Sequence, residues 1–402
     1  MPALIELTAR NFRSLRHVAI PLRSLSVLVG PNNAGKSNVL DLIRFLSDSV
    51  RFDLSNALDM RGGYDRVRFR GRVGDSRPAS VSIGVKANVT THASLNAPDE
   101  YNLTFRQMPR KDRSNVLLRQ EQFRFKRYGG RGRRITIKGA RAHIIDEKPR
   151  SGETASERGV GLREGSLGLS TLPRLADDEG GSEVRTMAAL FEGFRVFDIN
   201  VAAARQPSRI AGDRLEDDAS NLSAFLYHLS RDEDTWSRVQ VDARLLVPGL
   251  KEILFEPVGG PSRAVSVVLR EQGLRDDTLL ADASYGTIRA LAILACLYDP
   301  QPPSITCVEE IDHGLHPYSF DLLVERLREA SDRTQFLVAT HSPVLVNRLK
   351  PDELIVCERR PDGSSDVPAV DPGVVVDAMA ASQGHINLGE LWFSGTLGGV
   401  PD

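Results

Sequence analysis

One segment of the sequence has the residue types and spacing that bind a nucleoside triphosphate. Residues 30–37 read GPNNAGKS and fit the pattern G-x-x-x-x-G-K-[S/T]. Glycines in such a loop let backbone amides curl around phosphate oxygens, and a helix that starts there adds partial positive charge. Lys36 would reach the β- and γ-phosphates, and the Ser37 hydroxyl would bind Mg²⁺. The alternative is an ordinary turn of Gly and Asn. The predicted ATP-contacting residues are Gly30, Pro31, Asn32, Asn33, Ala34, Gly35, Lys36, Ser37 and Asn38.

Two adjacent carboxylates follow an apolar run further along the chain. The run Ser304 to Val308 is typical of a buried strand, and Glu309 and Glu310 come directly after it. An acidic residue at the end of a strand beside a phosphate-binding loop can hold magnesium, and a second one can act as general base on a water molecule. We therefore predict Glu309 as a metal ligand and Glu310 as the catalytic base. The alternative is a solvated helix start.

A histidine and a serine–glycine pair complete the candidate residues. His341 follows the apolar run FLVAT, so its imidazole is expected at the carboxyl edge of the sheet, where it could hydrogen-bond the γ-phosphate. It joins Lys36 and Glu310 as a predicted catalytic residue, although a lone histidine is usually structural. Ser284 and Gly286 precede a long apolar helix, where serine is a common N-cap. Free amides at a helix start also form an anion site, which need not serve the nucleotide of its own subunit.

These residues need a framework of alternating strands and helices. A buried strand is predicted from Leu25 to Val29 before the glycine-rich loop, and a helix from Asn38 to Leu46 after it. Further along, predicted helices at 286–297 and 318–330 alternate with predicted strands at 304–308 and 335–339. This alternation predicts an α/β fold with a mixed, largely parallel sheet.

The middle of the chain is unusually basic. Residues 100–150 contain fifteen Lys and Arg against five Asp and Glu, and they include strand-like runs. Cationic and aromatic side chains interleave there, a mixture suited to phosphate contact and base stacking, so we predict nucleic-acid binding through residues 106–141. The alternative is a solvated hairpin with ordinary surface charge. The residues concerned are Phe123, Arg124, Phe125, Lys126, Arg127, Tyr128, Arg131, Arg133 and Arg134.

The order of four motifs, GPNNAGKS, ASYGT, VEEIDHGLHP and ATHSP, resembles that of AAA-type ABC ATPases related to RecF, the OLD proteins and the heads of SMC proteins. The segments NFRSL, DDASNLSAFLYHL and LGELWFSGTLGG also resemble predicted bacterial ATPases of this group, several of which belong to phage-defence operons. The resemblance covers residues 1–90 and 190–402. It implies a P-loop NTPase fold, ATP hydrolysis, and a homodimer in which Ser284 and Gly286 contact the ATP of the partner subunit.

The chain departs from the family pattern at several positions. Ile311 and Asp312 stand where the acidic motif usually has Pro and Glu, and Glu309 stands where many relatives have Asp. Tyr285 replaces the usual small or acidic residue of the signature motif. OLD-type relatives carry a TOPRIM nuclease after the ATPase, and the residues that follow His341 are too few for one. A nuclease would therefore be a separate polypeptide.

These observations predict three regions. They are residues 1–90 as ATPase lobe I with the P-loop, 91–190 as a β-rich basic insertion and mobile linker, and 191–402 as lobe II with the signature, acidic motif and switch histidine. No apolar run reaches the roughly 20 residues that cross a bilayer, and the start lacks a signal peptide, so a cytoplasmic location without membrane contact is expected. Cys296, Cys307 and Cys357 lie in apolar runs and are expected to be buried thiols.

The leading hypothesis is an ATPase that dimerises on ATP and acts in a DNA-linked process, anti-phage defence or DNA repair, with a separate effector such as a nuclease or toxin. The alternative is a nucleotide-dependent scaffold that regulates a partner nuclease or toxin without contacting DNA. A transporter ATPase subunit is the weakest reading, because the sequence LSGGQ is missing.

Overall fold

The computed structural model describes residues 4–71, 80–109, 115–128, 131–147, 157–162, 166–259, 263–381 and 386–397. The strands are β1 (Leu4–Phe12), β2 (Leu15–Pro21), β3 (Leu25–Val29), β4 (Val81–Ala87), β5 (Asp99–Pro109), β6 (Asn115–Arg127), β7 (Arg131–Lys138), β8 (Arg141–Glu147), β9 (Glu157–Gly161), β10 (Phe194–Phe197), β11 (Ser208–Arg209), β12 (Leu250–Val258), β13 (Ala264–Glu271), β14 (Thr278–Leu279), β15 (Ile305–Val308), β16 (Gln335–Thr340), β17 (Leu354–Val356), β18 (Glu358–Arg359) and β19 (Ser365–Asp366). The helices are α1 (Lys36–Phe52), α2 (Leu54–Asp59), α3 (Tyr64–Val67), α4 (Gly168–Thr171), α5 (Gly181–Glu192), α6 (Val201–Ala204), α7 (Leu222–Leu229), α8 (Glu233–Leu246), α9 (Tyr285–Leu297), α10 (Phe320–Ser331), α11 (Pro343–Val346), α12 (Pro372–Ala381) and α13 (Leu388–Phe393).

A five-stranded parallel sheet carries the predicted site residues. Its strand order is β10-β15-β16-β3-β17, and every neighbouring pair is parallel. All residues of β3, β15 and β16 are buried, as expected for a parallel sheet covered on both faces. Because parallel strands end at one edge, the segments that follow β3, β15 and β16 meet there. The predicted α/β fold with a parallel sheet is confirmed.

The largest sheet is antiparallel and has eight strands in the order β2-β1-β4-β5-β6-β7-β8-β9. Its inner face packs on α1, where the ring of Phe45 lies 5.5 Å from that of Phe12 and 5.7 Å from that of Phe105. Strands β5 to β9 belong to the segment predicted as an insertion, and β5 pairs directly with β4. The β-rich character is as predicted, but these strands extend the sheet of the first lobe without a break.

Residues 166–182, within the region predicted as a mobile linker, contact the core. The side chains of Leu167, Leu169 and Leu172 are buried in the core beneath the eight-stranded sheet. The amide of Gly168 also donates a hydrogen bond to the buried Glu121 carboxylate, at 2.9 Å. Apolar side chains among the glycines and serines therefore anchor this stretch. The linker residues 148–156 and 163–165 lie outside the described part of the chain.

The second lobe is built around α9, whose residues from Thr287 to Leu297 are all buried. Helices α6, α7 and α8 pack against α9, and β11, β12, β13 and β14 form an antiparallel sheet beside them. The Tyr298 hydroxyl, just after α9, donates to Asp242 of α8 at 2.6 Å, and Arg326 of α10 donates to the same oxygen at 2.6 Å. Burial and this bond raise the pKa of Tyr298 to about 12. One carboxylate thus joins three elements of the lobe.

The three cysteines are buried, unpaired thiols, as predicted. Cys296 lies on α9, Cys307 on β15, and Cys357 directly after β17. Burial raises the pKa of all three thiols, that of Cys357 to about 12. Within the described ranges, no helix is both long and apolar enough to span a bilayer.

Candidate nucleotide-binding site

The glycine-rich loop connects β3 to α1, which is the context that its motif requires. Two glycines allow neighbouring segments to approach closely. A Cβ atom on Gly30 would lie 2.4 Å from the carbonyl oxygen of Cys357, and one on Gly35 would lie 2.4 Å from the Ser365 Oγ. Gly35 has φ +113°, which disfavours other residues, and it immediately precedes α1. The loop therefore presents bare backbone at a helix N-terminus, a geometry that fits phosphate oxygens.

Lys36 and His341 meet at this loop. The Lys36 Nζ donates to the carbonyl oxygens of Gly30 at 2.7 Å and Pro31 at 2.8 Å, and it lies 3.3 Å from the His341 Nδ1. Burial lowers the pKa of Lys36, although the carboxylates of Glu309 and its neighbours oppose this shift. Burial, and next the Lys36 ammonium, also lower the pKa of His341. The two side chains predicted to bind the γ-phosphate are therefore in contact.

Ser37 and Glu309 also lie in direct contact, close enough to bind the same metal ion. The Ser37 hydroxyl donates to the Glu309 Oε1. The Glu309 amide donates to the carbonyl of Phe197 at 3.2 Å, which fixes the start of the acidic segment at the end of β10. No cluster of three or more His, Cys, Asp or Glu that could hold a metal occurs among the described residues. Ser37 and Glu309 would supply two oxygens, which fits Mg²⁺ because that ion keeps waters and nucleotide phosphates as its other ligands.

Glu310 stands at a strained turn that a buried arginine supports. Its φ is +50°, and its side chain is half exposed. Arg289 of α9 is 4% exposed, and its Nη2 donates to the carbonyl oxygens of Glu309 at 2.7 Å and Glu310 at 2.5 Å. Left-handed backbone at a non-glycine residue costs about 1–3 kcal/mol and persists where surrounding contacts enforce it. Arg289 therefore helps to hold the predicted catalytic base in place.

The departures from the usual acidic motif have structural explanations. The Asp312 carboxylate accepts a hydrogen bond from the Thr340 hydroxyl at 2.5 Å, and that hydroxyl accepts from the Ser342 amide at 3.0 Å. Ile311 is buried, and its amide donates to the carbonyl of Ala339 at 3.0 Å. Asp312 and Ile311 thus hold the acidic loop, residues 309–316, against the end of β16, beside His341.

The signature residues contact the acidic loop of their own chain. The Ser284 Oγ accepts from the Thr287 amide at 3.1 Å, as an N-cap does. A Cβ atom on Gly286 would lie 2.3 Å from the carbonyl oxygen of Gly314, so glycine is required for this approach. Among the described residues, no hydrogen bond joins Ser284 or Gly286 to the P-loop residues 30–38. Glu309 and His341 thus lie against the P-loop of their own chain. The signature residue Gly286 instead lies against Gly314 of the acidic loop.

Part of the predicted nucleic-acid surface is wrong. Phe123 and Phe125 are buried in the core and cannot stack on bases. Arg133 is 2% exposed and pairs with Asp146 at 2.8 Å. Successive residues of a strand face opposite sides of the sheet, so the intervening cations face outward instead. Among them, Arg124 is 47% exposed. The side chain of Arg131 lies outside the described residues.

Sequence reasoning missed two residues of the site, Arg289 and His313. Arg289 is a single cation within an otherwise apolar helix, and a buried position for such a residue implies a partner. His313 contacts both Glu310 and Tyr285, with its Nδ1 3.3 Å from the Glu310 Oε2 and 3.2 Å from the Tyr285 hydroxyl. No sequence signal separated His313 from the other loop residues.

Comparison with solved structures shows the same fold. The chain is similar to an SMC head bound to the C-terminal winged-helix domain of ScpA, at 16% identity and TM-score 0.52, over 91% of this chain and 96% of that one. It is also similar to the SMC head with an extended coiled coil bound to the ScpA C-terminal domain from Pyrococcus furiosus, at 14% identity and TM-score 0.52, over 95% and 100% of the two chains. The SMC head with coiled coil and joint from Pyrococcus yayanosii matches at 12% identity and TM-score 0.51, over 95% and 100%.

Comparison of the sequence with family models gives one match that covers most of the chain. Residues 25–347 match the family described as "AAA domain, putative AbiEii toxin, Type IV TA system". No curated protein matches the chain. The matched range includes the P-loop, the signature, the acidic segment and His341. The chain therefore belongs to this AAA family, and it shares the fold of SMC heads.

Proposed function

We propose that the protein binds ATP with Mg²⁺ and hydrolyses it. The observation that carries this proposal is the meeting of three strand ends, which brings Lys36, the Ser37–Glu309 pair and His341 into contact. The Lys36 ammonium binds phosphate oxygens, and the imidazole of His341, whose pKa is lowered, donates a ring N–H to the γ-phosphate. Ser37 and Glu309 would hold Mg²⁺, which when bound neutralises charge on the phosphates. The exposed carboxylate of Glu310 accepts a proton from the attacking water.

We further propose that two copies associate on ATP. Ser284 and Gly286 stand at the start of α9 without a hydrogen bond to the P-loop of their own chain in its described part. Tyr285 and Tyr318, which flank this region, are 43% and 83% exposed. Exposed aromatic side chains are common where a second subunit docks. The family resemblance favours the same arrangement, with each signature serving the nucleotide of the other subunit.

Two substitutions test ATP hydrolysis. Glu310→Gln keeps the loop intact and should bind ATP normally while its kcat falls about a hundredfold or more, the usual contribution of a general base. Its ATP-bound dimer should accumulate in sedimentation experiments. Lys36→Ala should weaken binding of a labelled ATP analogue, because the loop loses its ammonium. Glu325→Gln, at an exposed carboxylate of α10, is the matched control. Wild-type turnover in Glu310→Gln would assign the base to another carboxylate.

A DNA-linked role is proposed for the outer face of the eight-stranded sheet. Arg124 lies opposite Arg134 in the β6–β7 pairing, and Lys138 lies opposite Arg141 in the β7–β8 pairing. These alternate positions face away from the core, so four cations lie on one face of the sheet without the buried Arg133, and Glu100 is 3.9 Å from Arg124 on the same face. Phosphate binding needs such clustered charge and depends steeply on salt. We propose nucleic acid as the partner of this face, in anti-phage defence or repair.

The triple substitution of Arg124, Lys138 and Arg141 by Glu tests this surface. It should weaken DNA binding and reduce the salt slope by about 0.9 for each phosphate that the surface no longer neutralises, without changing basal ATP hydrolysis. Arg275→Glu, an exposed reversal in the loop between β13 and β14, is the control. Mobility-shift titrations at several salt concentrations provide the measurement.

The second candidate function is a nucleotide-dependent scaffold. Two of the similar structures are SMC heads bound to a protein, ScpA, and the family description names a type IV toxin–antitoxin system. If the wild type hydrolyses ATP but does not bind DNA, the partner of this face is a protein effector, such as a nuclease or toxin.

A further inference from the structure

His313 lies between the predicted catalytic base and the signature segment. Its Nδ1 is 3.3 Å from the Glu310 Oε2 and 3.2 Å from the hydroxyl oxygen of Tyr285. The imidazole and the Tyr285 ring also pack together, with centroids 5.2 Å apart. The His313 amide donates to the carbonyl of Glu310 at 2.9 Å, so the turn keeps the imidazole close to the carboxylate. All three side chains are partly exposed.

Both neighbours meet the same ring nitrogen. When Nδ1 carries the proton, it can donate to the Glu310 carboxylate. When the proton is on Nε2, Nδ1 has only a lone pair and can accept from the Tyr285 hydroxyl. The nitrogen cannot accept from Tyr285 and donate to Glu310 at the same time. The Tyr285 hydroxyl can also accept from a protonated Nδ1, so in either tautomer it competes with Glu310 for this one nitrogen, and a strong bond to one neighbour weakens the other.

We propose that His313 is a positioning residue that restrains Glu310, and that the Tyr285 hydroxyl releases Glu310 by taking the same nitrogen. This inference rests on the proposed role of Glu310 as general base. A carboxylate oxygen that accepts a bond from His313 is held beside that ring and is occupied by it. A carboxylate without that bond is free to accept a proton from water.

The position of Tyr285 makes this competition sensitive to the second subunit. Tyr285 stands between Ser284 and Gly286, the pair proposed to contact the nucleotide of the partner. The backbone of Gly286 lies against that of Gly314, so a shift at the start of α9 changes the distance from Tyr285 to His313. Arg289, on the same helix, holds the backbone of Glu310, which leaves the carboxylate as the part that moves. One subunit would thus use the nucleotide of its partner to control hydrolysis of its own.

A double-mutant cycle on the full-length protein tests the competition. Tyr285→Phe keeps the ring but leaves Nδ1 to Glu310, so kcat for ATP should fall about tenfold, the size expected for one hydrogen bond to a charged group. His313→Ala removes the restraint and should raise kcat with KM unchanged. The double variant should match His313→Ala, because Tyr285 acts only through His313. Tyr227→Phe, on α7, where the ring packs on that of Phe255, is the matched control and should match wild type.

Additive effects in the double variant, an unchanged Tyr285→Phe, or a slower His313→Ala would each overturn the inference. The proposed function is judged separately by Glu310→Gln, since loss of turnover there supports the base while the cycle can still fail. Nitrogen-15 NMR of labelled histidine gives a readout independent of hydrolysis. The spectrum of His313→Ala identifies the signal of His313. In Tyr285→Phe, the chemical shift of His313 Nδ1 should move toward the value of a protonated ring nitrogen. An unmoved signal also rejects the competition.

Discussion

Replacement of Arg289 by methionine separates the support of Glu310 from ordinary core packing. The substitution removes hydrogen bonds to the carbonyls of Glu309 and Glu310, each worth about 1.5–3 kcal/mol when the donor is charged. The Arg289 Nε is buried without a hydrogen-bond partner in the described residues, and its removal recovers about 1–3 kcal/mol. With mid-range values of about 4.5 kcal/mol for the two bonds and about 2 kcal/mol for the recovery, the net loss expected in the free energy of unfolding is about 2.5 kcal/mol.

The effect on catalysis should exceed the effect on nucleotide binding. Without Arg289, Glu310 can leave its left-handed conformation, which itself costs about 1–3 kcal/mol. The carboxylate then loses its position, and kcat should fall about tenfold to a hundredfold while the affinity for an ATP analogue stays unchanged. Arg289→Lys, which can reach one carbonyl, should give an intermediate kcat.

Arg328→Met provides the matched control. Arg328 of α10 bonds to the Glu353 carboxylate at 2.8 Å and to the carbonyl of Arg348 at 2.9 Å, with no contact to the acidic loop among the described residues. Its loss should lower stability without lowering kcat. The assays are denaturant unfolding and steady-state ATP hydrolysis well below the melting temperature. If Arg289→Met loses stability but keeps the wild-type kcat, Arg289 has only a packing role.

Two further substitutions follow from the geometry. Gly35→Ala places a methyl group 2.4 Å from the Ser365 Oγ at a positive φ, so binding of an ATP analogue should weaken. Gly63→Ala is the control, because Gly63 also has a positive φ but faces open space. It should cost only about 1–2 kcal/mol of stability. Because burial raises the pKa of Tyr298 to about 12, the folded chain keeps a proton that the unfolded chain loses near pH 10, so stability falls between these values. Tyr298→Phe should make the free energy of unfolding depend less on pH in this range, and should lower it by about 1 kcal/mol at pH 7. Denaturant unfolding at pH 7, 9 and 11.5 checks both effects.

The P-loop and the strands beside it could be predicted because their signals are local. The pattern around Lys36 and the apolar runs before Glu309 and His341 each lie within a few consecutive residues. Parallel strands then bring these segments together at one edge by geometry alone. The sequence could not show that Arg289 bonds to carbonyls across the lobe, because that contact depends on how α9 packs.

The basic region was harder to interpret for a related reason. Phe123 and Arg124 alternate, so the period of two already placed them on opposite faces of a strand. Which face is covered depends on α5 and on residues 166–172, which follow much later in the chain. The loop-like composition of that covering segment concealed its three buried leucines. Arg133 is buried for the same reason, because it lies on the face of the sheet that these segments cover.

The burial of the three thiols has a practical consequence for experiments on subunit association. Cys296 is 4% exposed, and Cys307 and Cys357 are fully covered. Maleimides react with accessible thiolates, and both accessibility and ionisation are suppressed at these positions. A single cysteine introduced at an exposed site, as in Arg275→Cys, would therefore carry the label. Fluorescence transfer between two labelled copies could then follow their approach as ATP is added.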